Sequence, residues 1–143
     1  MERYFEEVDL GDEIGPLQRE VTDDEVVEFT NLSGQGGGRP SRFTSDEQAQ
    51  KEGLPGAIVP GIMSMSLLSK LVTDWADSAD VKLLDVIFRQ TIPHNQILKL
   101  HGIITDKGDD AEEGRIEADL YLDTEEKGHH ITAKAVFTLT SKP

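Results

Sequence analysis

Side chains that can carry protons, act as nucleophiles or bind metals are scarce in this sequence. It contains four histidines and no cysteine, which excludes a thiol nucleophile, a disulfide and a thiolate metal site. His129 and His130 are adjacent in a strand-like segment, where neighbouring side chains point to opposite faces, so they cannot easily bind one ion. His94 lies in a turn and is predicted to be solvated, whereas His101 lies in a strand. No metal site and no cofactor are predicted.

Two arginines form the most distinctive polar motif. Arg39 and Arg42 flank Pro40-Ser41, directly after the run Gly36-Gly37-Gly38. A guanidinium fork is suited to bind a carboxylate or a phosphate. The alternative is a surface loop in which both arginines pair with local acids such as Asp46 or Glu47. The glycine run lacks the lysine, hydroxyl and helix of a P-loop and predicts only a flexible loop.

Length and charge narrow the classes of partner. The chain has 143 residues, which predicts one domain spanning residues 1–143. Its net charge of −14 repels nucleic acid and anionic lipid, so neither is an expected partner. The acidic start does not resemble a signal peptide, and the apolar stretch 57–72 is too short and too polar to span a bilayer. A soluble, cytoplasmic protein is expected.

Three helices are predicted from their boundary residues and periodicity. Thr22 and Glu25 form a capping box for a helix that ends at Gly34, with Val26, Phe29 and Leu32 as its buried stripe. A short helix is expected over 46–51. A longer one begins at Pro60-Gly61 and runs to Trp75. Apolar residues nearly encircle this third helix, which predicts a central, mostly buried element: Ile62, Met63, Met65, Leu67, Leu68, Leu71, Val72 and Trp75.

The remaining segments have the pattern of β-strands. A short strand is predicted over 17–21 and four more over 81–92, 97–105, 115–123 and 130–140, the last with alternating buried positions. Four strands after one buried helix indicate an α+β fold, in which an antiparallel sheet curls around a long helix. Strands at the margin of such a sheet need pairing or covering, so a dimer is predicted.

Four segments, in this order, carry a resemblance to a known family: Phe29-Thr-Asn-Leu-Ser-Gly34, Asp46-Glu-Gln-Ala49, Ile58-Val-Pro-Gly-Ile-Met63 and Phe88-Arg-Gln-Thr-Ile-Pro93. Together with the order of elements, they resemble the MaoC-like dehydratases, the hot-dog-fold family that includes the (R)-specific enoyl-CoA hydratases. The resemblance implies a hot-dog domain that binds an acyl thioester of coenzyme A or acyl-carrier protein as its substrate and adds or removes water across the double bond.

The sequence departs from this family in the catalytic loop. The family pattern Gly-Asp-x-Asn-Pro-x-His supplies an aspartate and a histidine that activate water and handle the α-proton. Alignment on Gly34 places Gln35 at the aspartate position, whereas alignment on Pro40 places Arg39 at the asparagine position and Arg42 at the histidine position. An amide is not a base at neutral pH, and deprotonating an arginine at pH 7 would cost roughly 7 kcal/mol. A rearranged catalytic site using Gln35 and Arg42 is therefore expected.

Other parts of the family's site have counterparts here. Gly61 matches the glycine whose N–H donates to the thioester carbonyl, and one such donor is worth about 3 kcal/mol; its alternative role is a tight helix entry. Ser69 matches a serine that lines the family's pocket, although packing on the helix is the alternative. Asn31 is a candidate for orienting water or substrate, and Arg39 for binding phosphates.

Three functions follow from the resemblance. The first is a homodimeric enoyl-thioester hydratase or dehydratase with a rearranged site. The second is a non-catalytic subunit that forms a heterodimer with a homologue carrying the aspartate and histidine. The third is a regulatory module that binds acyl-CoA.

Overall fold

A five-stranded antiparallel sheet packs against one long helix. The computed structural model describes residues 1–33 and 39–143. The strands are β1 (Glu13–Glu20), β2 (Asp80–Phe88), β3 (Ile97–Lys107), β4 (Arg115–Asp123) and β5 (His129–Thr138), and the helices are α1 (Asp23–Leu32), α2 (Asp46–Lys51) and α3 (Gly61–Trp75). The strand order is β1-β3-β4-β5-β2, and every neighbouring pair is antiparallel. The predicted α+β class is confirmed.

The long helix α3 lies across one face of the sheet, where it contacts four of the strands. Its buried side chains repeat with helical spacing, but every fourth residue is exposed: Ile62, Ser66, Lys70 and Asp74. The prediction of apolar residues nearly all around the axis was therefore wrong for Ile62, which lies on this exposed stripe. The opposite side of α3 forms the core with the inward-facing residues of the strands.

The first helix follows its predicted capping signals but not its predicted stripe. The Thr22 side chain accepts a hydrogen bond from the Glu25 N–H at 3.3 Å, as a capping residue should. Val26 and Thr30 are buried, whereas Leu32 is 81% exposed. The prediction for Leu32 was wrong, because a residue six positions after Val26 is rotated from it by about 120° around the axis.

Strand β2 ends earlier than predicted. The N–H groups of Arg89 and Gln90 both donate to the carbonyl oxygen of His130, at 2.9 and 3.1 Å. One acceptor therefore serves two successive donors, which breaks the regular ladder after Phe88. The chain then turns so that Ile92 is buried and Pro93 forms an isolated bridge with Ile58.

The strand β2 is also an edge of the sheet and carries half-exposed apolar side chains at Leu83, Ile87 and Phe88. Such an edge presents unpaired backbone groups beside apolar surface.

No helix among the described residues has the length and apolarity needed to cross a membrane.

Candidate functional site

A pocket of about 260 Å³ opens at the beginning of α3. Four parts of the chain contribute to it: the loop before α2, the segment entering α3, the end of β2 with the turn after it, and β5. Its lining residues are Phe43, Ile58, Val59, Gly61, Ser64, Phe88, Arg89, Gln90, Thr91, Ile92 and Ile131. Most of this surface is apolar, so the few polar groups in it determine what it can bind.

Backbone hydrogen bonds fix the segment that enters α3. The Ile58 N–H donates to the Arg42 carbonyl oxygen at 3.0 Å, and the Val59 N–H donates to the Ile92 carbonyl oxygen at 2.7 Å. The Ala57 N–H donates to the Asp46 carboxylate at 2.8 Å. This segment is therefore tied to α2 and to the turn after β2, which holds the first turn of α3 at the pocket.

Gly61 is the first residue of α3 and lines the pocket, as the sequence suggested. The first N–H groups of a helix have no partner within it and lie at the positive end of its dipole. A Cβ at this position would lie 3.0 Å from two ring atoms of Phe88. The glycine thus allows a close approach of helix and ring. This geometry is compatible with both roles considered for Gly61, which are a tight helix entry and an N–H donor to a carbonyl.

Ser64 is the polar residue that the sequence analysis missed. It lies one turn after Gly61, lines the pocket and is only 1% exposed, and its hydroxyl has no hydrogen-bond partner among the described residues. A buried hydroxyl without a partner is costly, and this one is covered by its neighbours beside the pocket. The i, i+3 spacing of Gly61 and Ser64 could have predicted that Ser64 lies near the pocket, because residues so spaced share one face of a helix.

The arginine among the lining residues is Arg89, but its guanidinium is directed toward the opposite face of the sheet, where Thr132 lines another groove. Its side chain donates to the Thr132 hydroxyl at 3.1 Å, and within residues 1–33 and 39–143 no carboxylate lies within 4.0 Å of its guanidinium. Arg42 instead forms an ion pair with Glu52 at 2.9 Å. The local pairing considered for Arg42 is thus observed, with Glu52 as the acid.

Of the other candidate residues, those that the structure describes are not brought together at the pocket. Gln35 lies outside the described residues. Asn31, near the end of α1, and Arg39 are exposed. Ser69 is half-buried on α3 and is not among the lining residues, which include Ser64 instead.

The sequence matches no family model and no curated protein. Solved structures do share its fold. An (R)-hydratase from A. caviae superposes with a TM-score of 0.81 at 17% identity, covering 92% of this chain and 97% of that one. A MaoC-like dehydratase from Rhodospirillum rubrum gives 0.80 at 11%, covering 99% of both chains. The ChsH1-ChsH2 complex from Mycobacterium tuberculosis contains a chain that gives 0.80 at 17%, covering 92% of this chain and 98% of that one.

The chain has the hot-dog fold of these hydratases and dehydratases. The fold predicted from the sequence is thereby confirmed. Identities this low show the fold alone, and the chemistry of the hot-dog pocket depends on the residues that line it.

One aspartate–imidazole contact lies near the entrance to the hot-dog helix. His94 Nδ1 is 2.6 Å from Asp23 Oδ1, and His94 Nε2 is 3.1 Å from the Ile58 carbonyl oxygen. The imidazole is only 7% exposed, so the prediction of a solvated turn residue was wrong: its ring joins the start of α1 to the segment before α3. Hydrogen bonds from His94 and Asn95 hold the pKa of Asp23 below its usual value.

This pair does not reach the pocket. Neither Asp23 nor His94 is among the lining residues, and both ring nitrogens already face oxygen acceptors. Among the described residues that line the pocket, none is a carboxylate or an imidazole. The described lining therefore offers hydrogen-bond donors at the start of α3, with an arginine only at its edge, but no group that titrates near neutral pH.

Proposed function

We propose that this chain binds an acyl thioester, carried by coenzyme A or an acyl-carrier protein, in the pocket at the start of α3. The observation that carries this proposal is the buried Ser64 hydroxyl, which lacks a partner one turn after Gly61 in an otherwise apolar pocket. Because the hydroxyl is covered in the ligand-free chain, we propose that the Ser64 side chain rotates on binding, so that a carbonyl oxygen at the helix N-terminus accepts from both donors. The apolar walls suit the acyl chain beyond it.

The charge at the mouth of the pocket supports a carrier with phosphate groups. In a chain with a net charge of −14, Arg89 lies at the edge of the pocket with no carboxylate of the described residues within 4.0 Å, and to bind phosphate there its guanidinium must leave the Thr132 hydroxyl. A guanidinium binds phosphate through two parallel hydrogen bonds. Coenzyme A is favoured over an acidic carrier protein, because like charges slow the encounter of two proteins.

The shared fold favours descent from the MaoC-like dehydratases, and hence hydration or dehydration of the bound thioester as the reaction to test. The attacking water must lose a proton and the α-carbon must gain one. If the isolated chain catalyses this reaction, the loop residues proposed to orient water or substrate are Gln35 and Arg42, and the latter must leave its Glu52 partner to act.

A second candidate function is that of a non-catalytic subunit. The β2 edge exposes Leu83, Ile87 and Phe88, and one solved structure of this fold is the ChsH1-ChsH2 complex. We propose that β2 pairs with the same strand of another hot-dog chain, which buries this apolar surface. The partner is a second copy in a homodimer, or a homologue carrying an aspartate and a histidine in a heterodimer.

Binding and turnover are tested separately with crotonyl-CoA. Thermal unfolding with increasing ligand should show a rising Tm, since a ligand of the folded state stabilises it by mass action. An unchanged Tm at saturating ligand contradicts the binding proposal. Hydration of crotonyl-CoA by the chain alone supports an enzyme, and its survival in Gln35→Ala and Arg42→Ala would refute those two assignments.

Two further outcomes separate the other functions. Hydration that begins only when a homologue with the aspartate and histidine is added supports the subunit. A raised Tm without turnover under either condition supports a regulatory acyl-CoA-binding module.

A further inference from the structure

A second polar cluster lies on the face of the sheet opposite to α3. It consists of His101 on β3, Asp123 at the end of β4 and His129 at the start of β5, and we call it the outer-face cluster. Along β4 the even-numbered residues are buried against the core, while Tyr121 and Asp123 point outward. Asp123 pairs with His129 across one strand boundary, and His101 pairs with Tyr121 across the other. Three strands thus bring these side chains together.

The cluster is compact. His101 Nε2 lies 2.6 Å from Asp123 Oδ2, and His129 Nδ1 lies 2.6 Å from Asp123 Oδ1. The three ligand atoms all lie within 4.8 Å of one another. The ring of Tyr121 stacks on His129 with centroids 4.3 Å apart and lies 5.2 Å from that of His101. Packing therefore limits the rotation of both imidazoles.

We propose that His101, Asp123 and His129 bind a divalent transition-metal ion such as Zn²⁺. Two imidazole nitrogens and one carboxylate oxygen are a ligand set typical of zinc, cobalt, nickel and copper, rather than of magnesium or calcium. The three side chains are partly exposed, at 27%, 21% and 44%, so an ion can reach them from solvent. The site is distinct from the thioester pocket, which lies on the α3 side of the sheet.

The geometry needs only a small adjustment. Zn–N bonds of about 2.0–2.1 Å place the ligand atoms of a tetrahedral ion about 3.3 Å apart. The imidazole–carboxylate contacts of 2.6 Å must lengthen slightly, and all three ligand atoms already lie within 4.8 Å of one another. Rotations of half-exposed side chains suffice for this, because the strands that carry them already hold the three groups together.

The surroundings are compatible with a cation. Among the described residues, the two imidazoles are the only basic groups within 4.0 Å of the Asp123 carboxylate. An adjoining groove of about 450 Å³ includes both histidines, with Glu13 and Lys99 also in its lining. The positive charge of Lys99 disfavours the binding of a cation, whereas the negative charge of Glu13 favours it. The groove leaves room for water as a fourth ligand, which is the arrangement of an open zinc site.

The sequence could not indicate this site. His129 and His130 do point to opposite faces, since His130 is buried in the core while His129 faces solvent. The second imidazole comes instead from His101, twenty-eight positions away along the chain. Only the register of β3, β4 and β5 makes it a neighbour.

Cobalt titration tests the proposal. The chain is prepared without a histidine tag, treated with a chelator and titrated with Co²⁺ while its visible d–d absorption is recorded. We expect one Co²⁺ per chain, displaced by Zn²⁺ and not by Mg²⁺. His101→Gln and His129→Gln should each weaken binding by at least about tenfold, since loss of even an outer hydrogen-bond partner costs about 10- to 100-fold in metal affinity.

His94→Gln is the matched control. His94 also contacts an aspartate at 2.6 Å, but with one imidazole instead of two, so this variant should bind Co²⁺ like the parent. Far-UV circular dichroism checks the fold of each variant, and the more exposed His129→Gln decides the outcome if His101→Gln fails to fold. Absence of stoichiometric binding, or affinity unchanged in His129→Gln, would overturn the proposal.

Discussion

The pocket at the start of α3 and the outer-face cluster contain opposite kinds of polar group. The described pocket lining has the N-terminus of α3 at Gly61, the Ser64 hydroxyl beside it and Arg89 at the edge, and no carboxylate or imidazole. The outer-face cluster has two imidazoles and a carboxylate within 4.8 Å, but lies on a solvent-facing sheet. The sheet therefore separates the helix N-terminus and Ser64 from the imidazole–carboxylate cluster, and the two can be altered independently.

The largest expected effect is that of Gly61→Val on the pocket. Its Cβ would lie 3.0 Å from the Phe88 ring, so the ring must give way and the added side chain changes the shape of the pocket; we expect crotonyl-CoA to lose its effect on Tm. Ile62→Ala, on the exposed stripe of the same turn, should retain it. Co²⁺ binding at the outer-face cluster should be unchanged in both variants; a crotonyl-CoA response that persists in Gly61→Val contradicts the assignment of the pocket.

Substitution of Arg89 should have the next largest effect. A hydrogen bond to a charged group contributes about 1.5–3 kcal/mol, so Arg89→Gln should raise the Kd of crotonyl-CoA by about tenfold. Arg42→Gln should change this Kd less, because Arg42 is paired with Glu52. A crotonyl thioester of N-acetylcysteamine, which has no phosphates, should bind equally to Arg89→Gln and the parent. An equal rise in the Kd of both thioesters would show that Arg89 does not bind the phosphate groups.

Ser64→Ala should change stability and binding in opposite directions. A buried polar group without a partner costs about 1–3 kcal/mol, so removing the hydroxyl should raise the free energy of unfolding of the ligand-free chain by about 1 kcal/mol. The same change should reduce the stabilisation by crotonyl-CoA. Ser66→Ala is the matched control, because its exposed hydroxyl donates to the Ile62 carbonyl oxygen. Urea unfolding with and without ligand measures both effects, and a loss of ligand-free stability in Ser64→Ala would refute the argument.

The smallest effect concerns the aspartate–imidazole contact near α3. Because hydrogen bonds from His94 and Asn95 lower the pKa of Asp23, its carboxylate stabilises the fold above the unfolded-state value, about pH 4. This contribution is lost as the pH falls through the lowered pKa. Asp23→Asn should therefore reduce Tm slightly at pH 6 to 7 and should match the parent in strong acid. If the difference in Tm between Asp23→Asn and the parent stayed constant from neutral pH to strong acid, the proposed stabilisation by the Asp23 carboxylate would be wrong.

Much of the fold could be predicted because local signals agreed with it. Thr22 caps α1, α2 has its predicted bounds, α3 begins at Gly61 and ends at Trp75, and β4 spans 115–123 as expected. The errors arose where tertiary contacts decide. β2 ends at Phe88 because a carbonyl of β5 accepts two donors, and no local pattern records that.

The site was predictable only where it coincides with a helix boundary. Gly61 follows Pro60 at the start of α3, so its place could be anticipated. Ser64 was missed, since burial of a serine depends on which face of the helix meets the sheet. Arg89 was missed as well, because its place at the edge of the pocket depends on where β2 ends against β5.

The sequence by itself determined the type of each element, their order and most of the residues that each one buries, with Leu32 and Ile62 as exceptions. These follow from capping, periodicity and turn residues, which act over a few positions. The tertiary structure alone decided which polar groups meet: a serine with a helix N-terminus at the pocket, and two histidines with one aspartate on the outer face. The physical reason is that strand register and helix packing set distances between residues far apart in the chain, and the chemistry of a polar group depends on the neighbours within a few ångströms of it.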